Sequence, residues 1–339
     1  MKRFAQALFA AIVALSIADT AGAATLDTVK QRGALSCGAN GQLPGFGLPD
    51  SQGNWTGLDV DFCRAVAAAI FNDPSKVKFV ALTARDRFTA LQTGDIDVLA
   101  RNTTWTLSRD TQLGLNFAPV VFYDGQGFMV PKKLGLKSAK ELKGATVCVQ
   151  PGTTTELNLA DFFRANRLDF KPVVIEKLDE VEAAYFSGRC DAYTTDRSGL
   201  AATRIGKAAN PDDHVVLPEV ISKEPLAPAV RHGDDEWFDI VKWSVFASIE
   251  AEEDGISAKN VDDKLKTDDP NVKRFLGVTP GMGKALGLDD KWAYNIVKQV
   301  GNYGEVFDRN VGKDSPLKLE RGLNDLWTRG GLMYAMPVR

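Results

Sequence analysis

The chain reads as an α/β protein of two lobes, each a mainly parallel sheet flanked by helices. Three observations lead there. From Leu35 onward short apolar runs alternate with helical periods, the pattern of parallel strands joined through helices. One block of sequence occurs twice. Gly33-Ala34-Leu35-Ser36-Cys37 returns as Gly144-Ala145-Thr146-Val147-Cys148, and Thr93-Gly94-Asp95-Ile96-Asp97-Val98-Leu99 returns as Ser187-Gly188-Arg189-Cys190-Asp191-Ala192-Tyr193. Finally, extended apolar stretches at Val120–Val130 and Leu217–Val230 follow the two copies and read as two crossings between lobes. The expected partition is 24–125 plus 226–339 for the first lobe and 126–225 for the second, with a C-terminal extension from about 255.

Residues 1–23 read as a secretory signal: Lys2 and Arg3, a largely apolar run from Phe4 to Ile17, and a small-residue cleavage site at Ala21-Gly22-Ala23. The run is short for a membrane anchor and Gln6 interrupts it. Leu35–Cys37 then starts a strand, and a Gly/Pro-rich loop runs from Gly38 to Gly57. Asp59–Phe71 is a helix, with Leu58, Phe62, Val66 and Ile70 on one face and Asp59 and Asp61 in its first turn. Val77–Leu82 is a strand, Arg85–Gln92 a helix stopped by Gly94, and Ile96–Ala100 a strand. In the second copy Thr146–Gln150 is a strand and Thr153–Ala165 a helix, with Thr153 and Glu156 spaced as a capping box. Val173–Ile175, helix Val181–Phe186 and strand Asp191–Thr195 follow, and Trp237–Glu250 is an amphipathic helix returning to the first lobe.

Composition narrows the function. The formal net charge is −3, and −4 without the leader, so the chain lacks the basic footprint of a nucleic-acid binder. Four cysteines in an oxidising compartment permit disulfides. Cys148–Cys190 is the favoured pair, with Cys37–Cys63 as the remainder; four buried thiols acting as small hydrophobes are the alternative. The scattered cysteines and only two histidines, His214 and His232, argue against a zinc site, and no other metal or cofactor is expected.

The candidate site lies just past the repeated strands. Arg109 and the polar run Asn102-Thr103-Thr104 follow the first, and Asp196 ends the second. The guanidinium fork suits a carboxylate and the aspartate suits an ammonium, so the two lobes together match a small zwitterion. Both residues lie at carboxyl ends of strands, where open α/β sheets bind ligands. The Thr153 helix start offers unpartnered N–H groups to an anion, with hydroxyls at Thr104, Thr154 and Thr155 nearby. The plain alternatives are a solvated Arg109 paired with Asp110, and a Thr153 that only caps its helix.

These residues carry a resemblance. The run Gly57-Leu58-Asp59-Val60-Asp61-Phe62, the spacing Asp97 to Arg109, the Gly152-Thr153-Thr154 helix start and the step Asp191 to Asp196 resemble periplasmic solute-binding proteins of polar amino acid ABC transporters, family 3. The likeness covers about Leu35 to Ile249. Asp124-Gly125-Gln126-Gly127-Phe128-Met129-Val130 and the long C-terminal part resemble the larger members that take general L-amino acids. The resemblance implies a type II two-lobed fold that closes on its ligand. It also implies a periplasmic location in a Gram-negative cell, a membrane permease as partner, a monomer, and no catalysis. Arg109, Asn102 and Thr104 would hold the carboxylate side, Thr153 and Thr154 would support it, and Asp196 would take the ammonium. Relatives often stack an aromatic residue on the ligand from the loop before Gly57. Leu43 occupies that position here, with Phe46 nearby, while Arg101 and Trp105 are candidates to line the side-chain pocket. A periplasmic enzyme of dehydratase type and an amino acid sensor are the rival readings.

Overall fold

The computed structural model describes residues 24–339, so the expected leader lies outside the described residues. Two five-stranded sheets organise the chain. The first is ordered Val77–Ala81, Leu35–Ala39, Val98–Leu99, Ala229–Arg231, Leu115–Phe117. The second is ordered Lys171–Val174, Thr146–Val149, Ala192–Asp196, Gln126–Pro131, His214–Val216. In each, only the fourth strand runs against the others. Those two strands, Gln126–Pro131 and Ala229–Arg231, are the first laid down after each crossing.

The crossings themselves pair with one another. Phe122–Asp124 and Glu224–Leu226 form a separate antiparallel ribbon in the register Glu224 with Asp124, Pro225 with Tyr123, and Leu226 with Phe122. Two paired strands between two sheets make a hinge that can bend while each sheet keeps its own ladder.

The helices follow from buried faces and stops. Leu58–Phe71 buries Leu58, Phe62, Val66 and its alanines, and ends at Asn72 in a left-handed conformation. Gly57 precedes it at φ 137°, and a Cβ there would stand 2.1 Å from the Phe46 carbonyl oxygen. Only glycine fits that approach. Thr154–Ala165 begins one residue later than expected, because Thr153 is its N-cap. Half of the capping box forms: Thr153 Oγ1 accepts from Glu156 N–H, but the Glu156 carboxylate reaches past it to Gly152 N–H at 3.0 Å. The second helix of the second copy extends to Leu178–Phe186, with Asp179 and Glu180 in its first turn. A further helix, Arg197–Lys207, starts directly after Asp196 and lies outside the expected elements.

The C-terminal helices Trp292–Gln299 and Tyr303–Asn310 pack on Leu58–Phe71 and on Asp235–Glu253. Asp61 anchors the second of them: its carboxylate accepts from Arg309 and Asn310 at 2.8 and 2.6 Å. Both disulfides are present. Cys37–Cys63 joins the first strand to the helix after it, and Cys148–Cys190 joins the second sheet to the approach of its third strand.

Candidate ligand-binding cleft

The repeated aspartates prove structural. Asp97 accepts the Ser36 N–H at 2.7 Å and pairs with Arg32, while Asp191 accepts the Thr146 N–H at 2.8 Å. Each carboxylate ties the end of its own loop to the start of the neighbouring strand. The repeat thereby fixes where the next strand stops, and the residues that stand free come after it.

In the first sheet those residues are 101–109. Asn102 has φ 34°, and its N–H donates to the buried Asp59 carboxylate at 2.7 Å. Asp59, in the helix that follows Gly57, thus clamps the site loop. Burial pushes its carboxyl up to about 7, against the pull of that N–H and of Arg101 and Arg87. The Asn102 side chain accepts from Asn40 at 3.0 Å. Arg109 lies in the short helix Leu107–Thr111, buried, with Nη1 donating to the Thr104 carbonyl at 2.8 Å and its guanidinium over the Phe88 ring. It does not pair with Asp110, which takes the Trp105 indole N–H instead. Trp105 is half exposed and stacks on Phe117.

In the second sheet Asp196 ends its strand and precedes the Arg197–Lys207 helix. Its carboxylate is buried, and no group among the described residues donates to it. Burial pushes its carboxyl well above the ordinary range, and the nearby Asp124 and Glu224 add to this, while Arg87 and Arg109 pull it back. Asp124, paired across the hinge ribbon with Glu224, is raised by burial to about 6 although it accepts from Ser198 and Gly125 N–H. Arg109 is lowered by burial to about 10, with Glu224 and Asp196 resisting. A cation on one sheet and an anion on the other are therefore buried within each other's field, and neither is in an ion pair.

The halves touch in this structure. Thr104 Oγ1 and Thr154 Oγ1 stand 3.4 Å apart, Thr83 donates to Glu176 at 3.3 Å, and Arg85 lies 3.9 Å from the same carboxylate. Glu224 knits them most closely. It accepts from Thr104 at 2.6 Å, Thr154 at 2.8 Å, Asn158 at 2.9 Å and Ser222 at 2.6 Å, from a hinge strand. A cavity of about 610 Å³ bounded by Asp124, Arg197 and Arg321 shares only Asp124 with this cluster. Buried unmatched charge, rather than open volume, marks the cleft.

One candidate is corrected. Phe46 is not positioned to stack on a ligand: it is fully buried in the core, its ring edge-on to Phe122 at 5.3 Å. The Thr153 hydroxyl is taken up within its own turn, donating to the Gln150 carbonyl at 2.8 Å and accepting from the Glu156 N–H, so what this helix start offers an anion is its backbone N–H groups. The structure gathers Arg101, Asn102, Thr104, Arg109, Thr154 and Asp196. It adds Arg87, Asp124 and Glu224, which sequence reasoning missed. Asp124 opens a run that the resemblance includes but gives no role, no local motif marks Arg87 or Glu224, and tertiary packing brings the three together.

With this geometry in place, the comparisons bear on it. The family model of bacterial extracellular solute-binding proteins, family 3, matches residues 35–260. The chain belongs to that family. The match spans both sheets and the hinge ribbon and stops before the C-terminal helices. The general L-amino acid-binding periplasmic protein AapJ of Rhizobium johnstonii is 58% identical over 340 residues, covering 100% of this chain and 99% of that protein. The glutamate/glutamine/aspartate/asparagine-binding protein BztA of Rhodobacter capsulatus is 54% identical, covering 96% and 97%. Among solved structures, a periplasmic binding protein of an ABC transporter from Brucella ovis with glutathione bound is 57% identical. It superposes with a TM-score of 0.92 over 94% of this chain and 100% of that one.

Proposed function

We propose that the protein binds L-amino acids in the periplasm and hands them to the permease of an ABC transporter. The observation that carries this reading is a buried guanidinium and a buried carboxyl, contributed by the two halves, that lie within each other's field and are in no ion pair: Arg109 for a carboxylate, Asp196 for an ammonium. An isolated buried ion costs several kcal/mol, and a zwitterion spanning the cleft supplies the counter-charge for both. Ligand favours closure only through contacts made in the closed state and lost in the open one. Residues split between the sheets provide those contacts. Lobes of 24–125 plus 226–339 and of 126–225, hinged at Phe122–Asp124 and Glu224–Leu226, are the moving parts on this reading. The relatives' names support amino acids as the class and a broad side-chain range. They also support secretion, which agrees with the sequence reading of residues 1–23. A monomeric carrier that returns its ligand unchanged is the form that suits delivery.

The test is calorimetric titration with a panel of L-amino acids, together with product analysis after long incubation. Binding of several, with the ligand recovered intact, is the expected result. Conversion of the ligand would favour a dehydratase-type enzyme, and no binding by any amino acid would remove the reading.

A further inference from the structure

The hinge strands join the fourth and fifth strands of each sheet. Phe122–Asp124 runs from Leu115–Phe117 into Gln126–Pro131, and Glu224–Leu226 runs from His214–Val216 into Ala229–Arg231. The opposite edges are Val77–Ala81 and Lys171–Val174, each parallel to its neighbour. The repeat makes these two strands equivalents, so the loops that leave them, from Leu82 and from Ile175, lie at the same corner of each half. That corner is the mouth of the cleft, farthest from the hinge.

The two loops meet there. Glu176 of the second half turns its carboxylate to the first, with Oε1 3.3 Å from the Thr83 hydroxyl and Oε2 3.9 Å from Arg85 Nη1. The same hydroxyl lies 2.9 Å from Asp86, within its own loop. Gln150 Nε2 donates to the Glu176 carbonyl at 2.8 Å and so fixes the loop that carries the carboxylate. Beside the pair the backbones touch: a Cβ built on Gly152 would lie 3.4 Å from Arg85 Cα. The Arg85 and Glu176 side chains are 68% and 41% exposed, unlike the buried headgroup residues.

We infer that Arg85 and Glu176 form a latch across the cleft mouth, which sets how long the closed form holds its ligand without touching the ligand itself. This rests on the two-lobed binding reading above and deepens it. A rotation about the hinge moves the far corner most, so the latch breaks early on opening and forms last on closing. A contact made only in the closed form favours closure whatever the ligand's side chain. Its effect therefore falls on release, and by the same factor for every ligand. An exposed pair acts weakly and is screened by salt, which makes the latch adjustable rather than permanent.

The experiment measures Kd by calorimetry and koff by stopped flow for L-glutamine and L-alanine. The proteins are the wild type, Arg85→Glu, Glu176→Arg and the double variant, with thermal melts confirming folding. Neither ligand carries net charge, so reversing a surface charge acts on closure rather than on their approach. In each single variant koff is expected to rise and affinity to fall by roughly two- to tenfold, equally for both ligands. The double variant is expected to return to within about twofold of the wild type, and at about 1 M salt the differences are expected to shrink below about twofold. Wild-type koff in the folded single variants, or a double variant no better than the singles, overturns the latch and leaves the headgroup reading standing. Failure of the wild type to bind either ligand removes the headgroup reading instead. The latch then stands or falls on the radius of gyration of the ligand-free proteins, expected to grow in the single variants and to return in the double.

Discussion

Arg109 and Asp196 show what buried charge does before any ligand arrives. Arg109→Ala leaves a ligand carboxylate unmatched in the cleft. It is expected to cost about 3–5 kcal/mol of binding, or two to four orders of magnitude in Kd by calorimetry. Wild-type affinity in that variant would contradict the assignment. Asp196 adds a pH dependence whose sign follows from its raised carboxyl. The ligand-free group holds its proton above the ordinary carboxylate range, and an ammonium beside it favours the ionised form. Binding therefore releases a proton between the two values, and affinity rises with pH until the free carboxyl is ionised. Calorimetry in two buffers of different ionisation enthalpy measures that proton, and Asp196→Asn is expected to abolish it. These two residues were legible because each lies a fixed step beyond a repeated aspartate. Phe46 was misread for the opposite reason: an aromatic in a loop carries no local mark of whether it faces ligand or core. Glu224 and Arg87 have no neighbouring motif, and their importance arises only from residues distant in sequence.

Elements were more legible than residues. Gly94 and Gly188 end their helices in left-handed turns or just past them, and apolar spacing located the main helices, because stops and buried faces are local properties. The Arg197–Lys207 helix escaped notice because its N-terminal turn, Arg197-Ser198-Gly199, carries no apolar spacing. The tightest element-level constraint is Gly57, whose φ and lack of Cβ let the Leu58–Phe71 helix start against the Phe46 carbonyl. Gly57→Ala is expected to lower stability by about 1–3 kcal/mol or more through backbone strain and clash, read as a lower Tm. An unchanged melt would show that the loop relaxes freely. Because Asp59 in that helix holds the Asn102 N–H, the same variant should also weaken ligand binding.

At the scale of the molecule, closure depends on what spans the hinge. Glu224 receives hydroxyls from both halves, and Asn324 reaches back from the C-terminal part to hydrogen-bond both the N–H and the carbonyl of Tyr123, at 2.6 and 3.1 Å. The Tyr303 hydroxyl donates to the Val121 carbonyl at 2.9 Å. The sequence located both crossings, but it could not show that they pair or that the last 80-odd residues brace them, since those are long-range contacts. Hydrogen bonds to a charged acceptor contribute about 1.5–3 kcal/mol each. Glu224→Ala is therefore expected to shift the ligand-free protein toward an open form, seen as a larger radius of gyration in small-angle scattering. An unchanged radius would mean that Glu224 does not hold the halves together. The most direct measurement for the whole account is a crystal structure grown with L-glutamate. The expected density places the α-carboxylate on the Arg109 fork and the ammonium against Asp196, with the two sheets closed around them. A ligand lodged elsewhere, with both side chains turned to solvent, would contradict it.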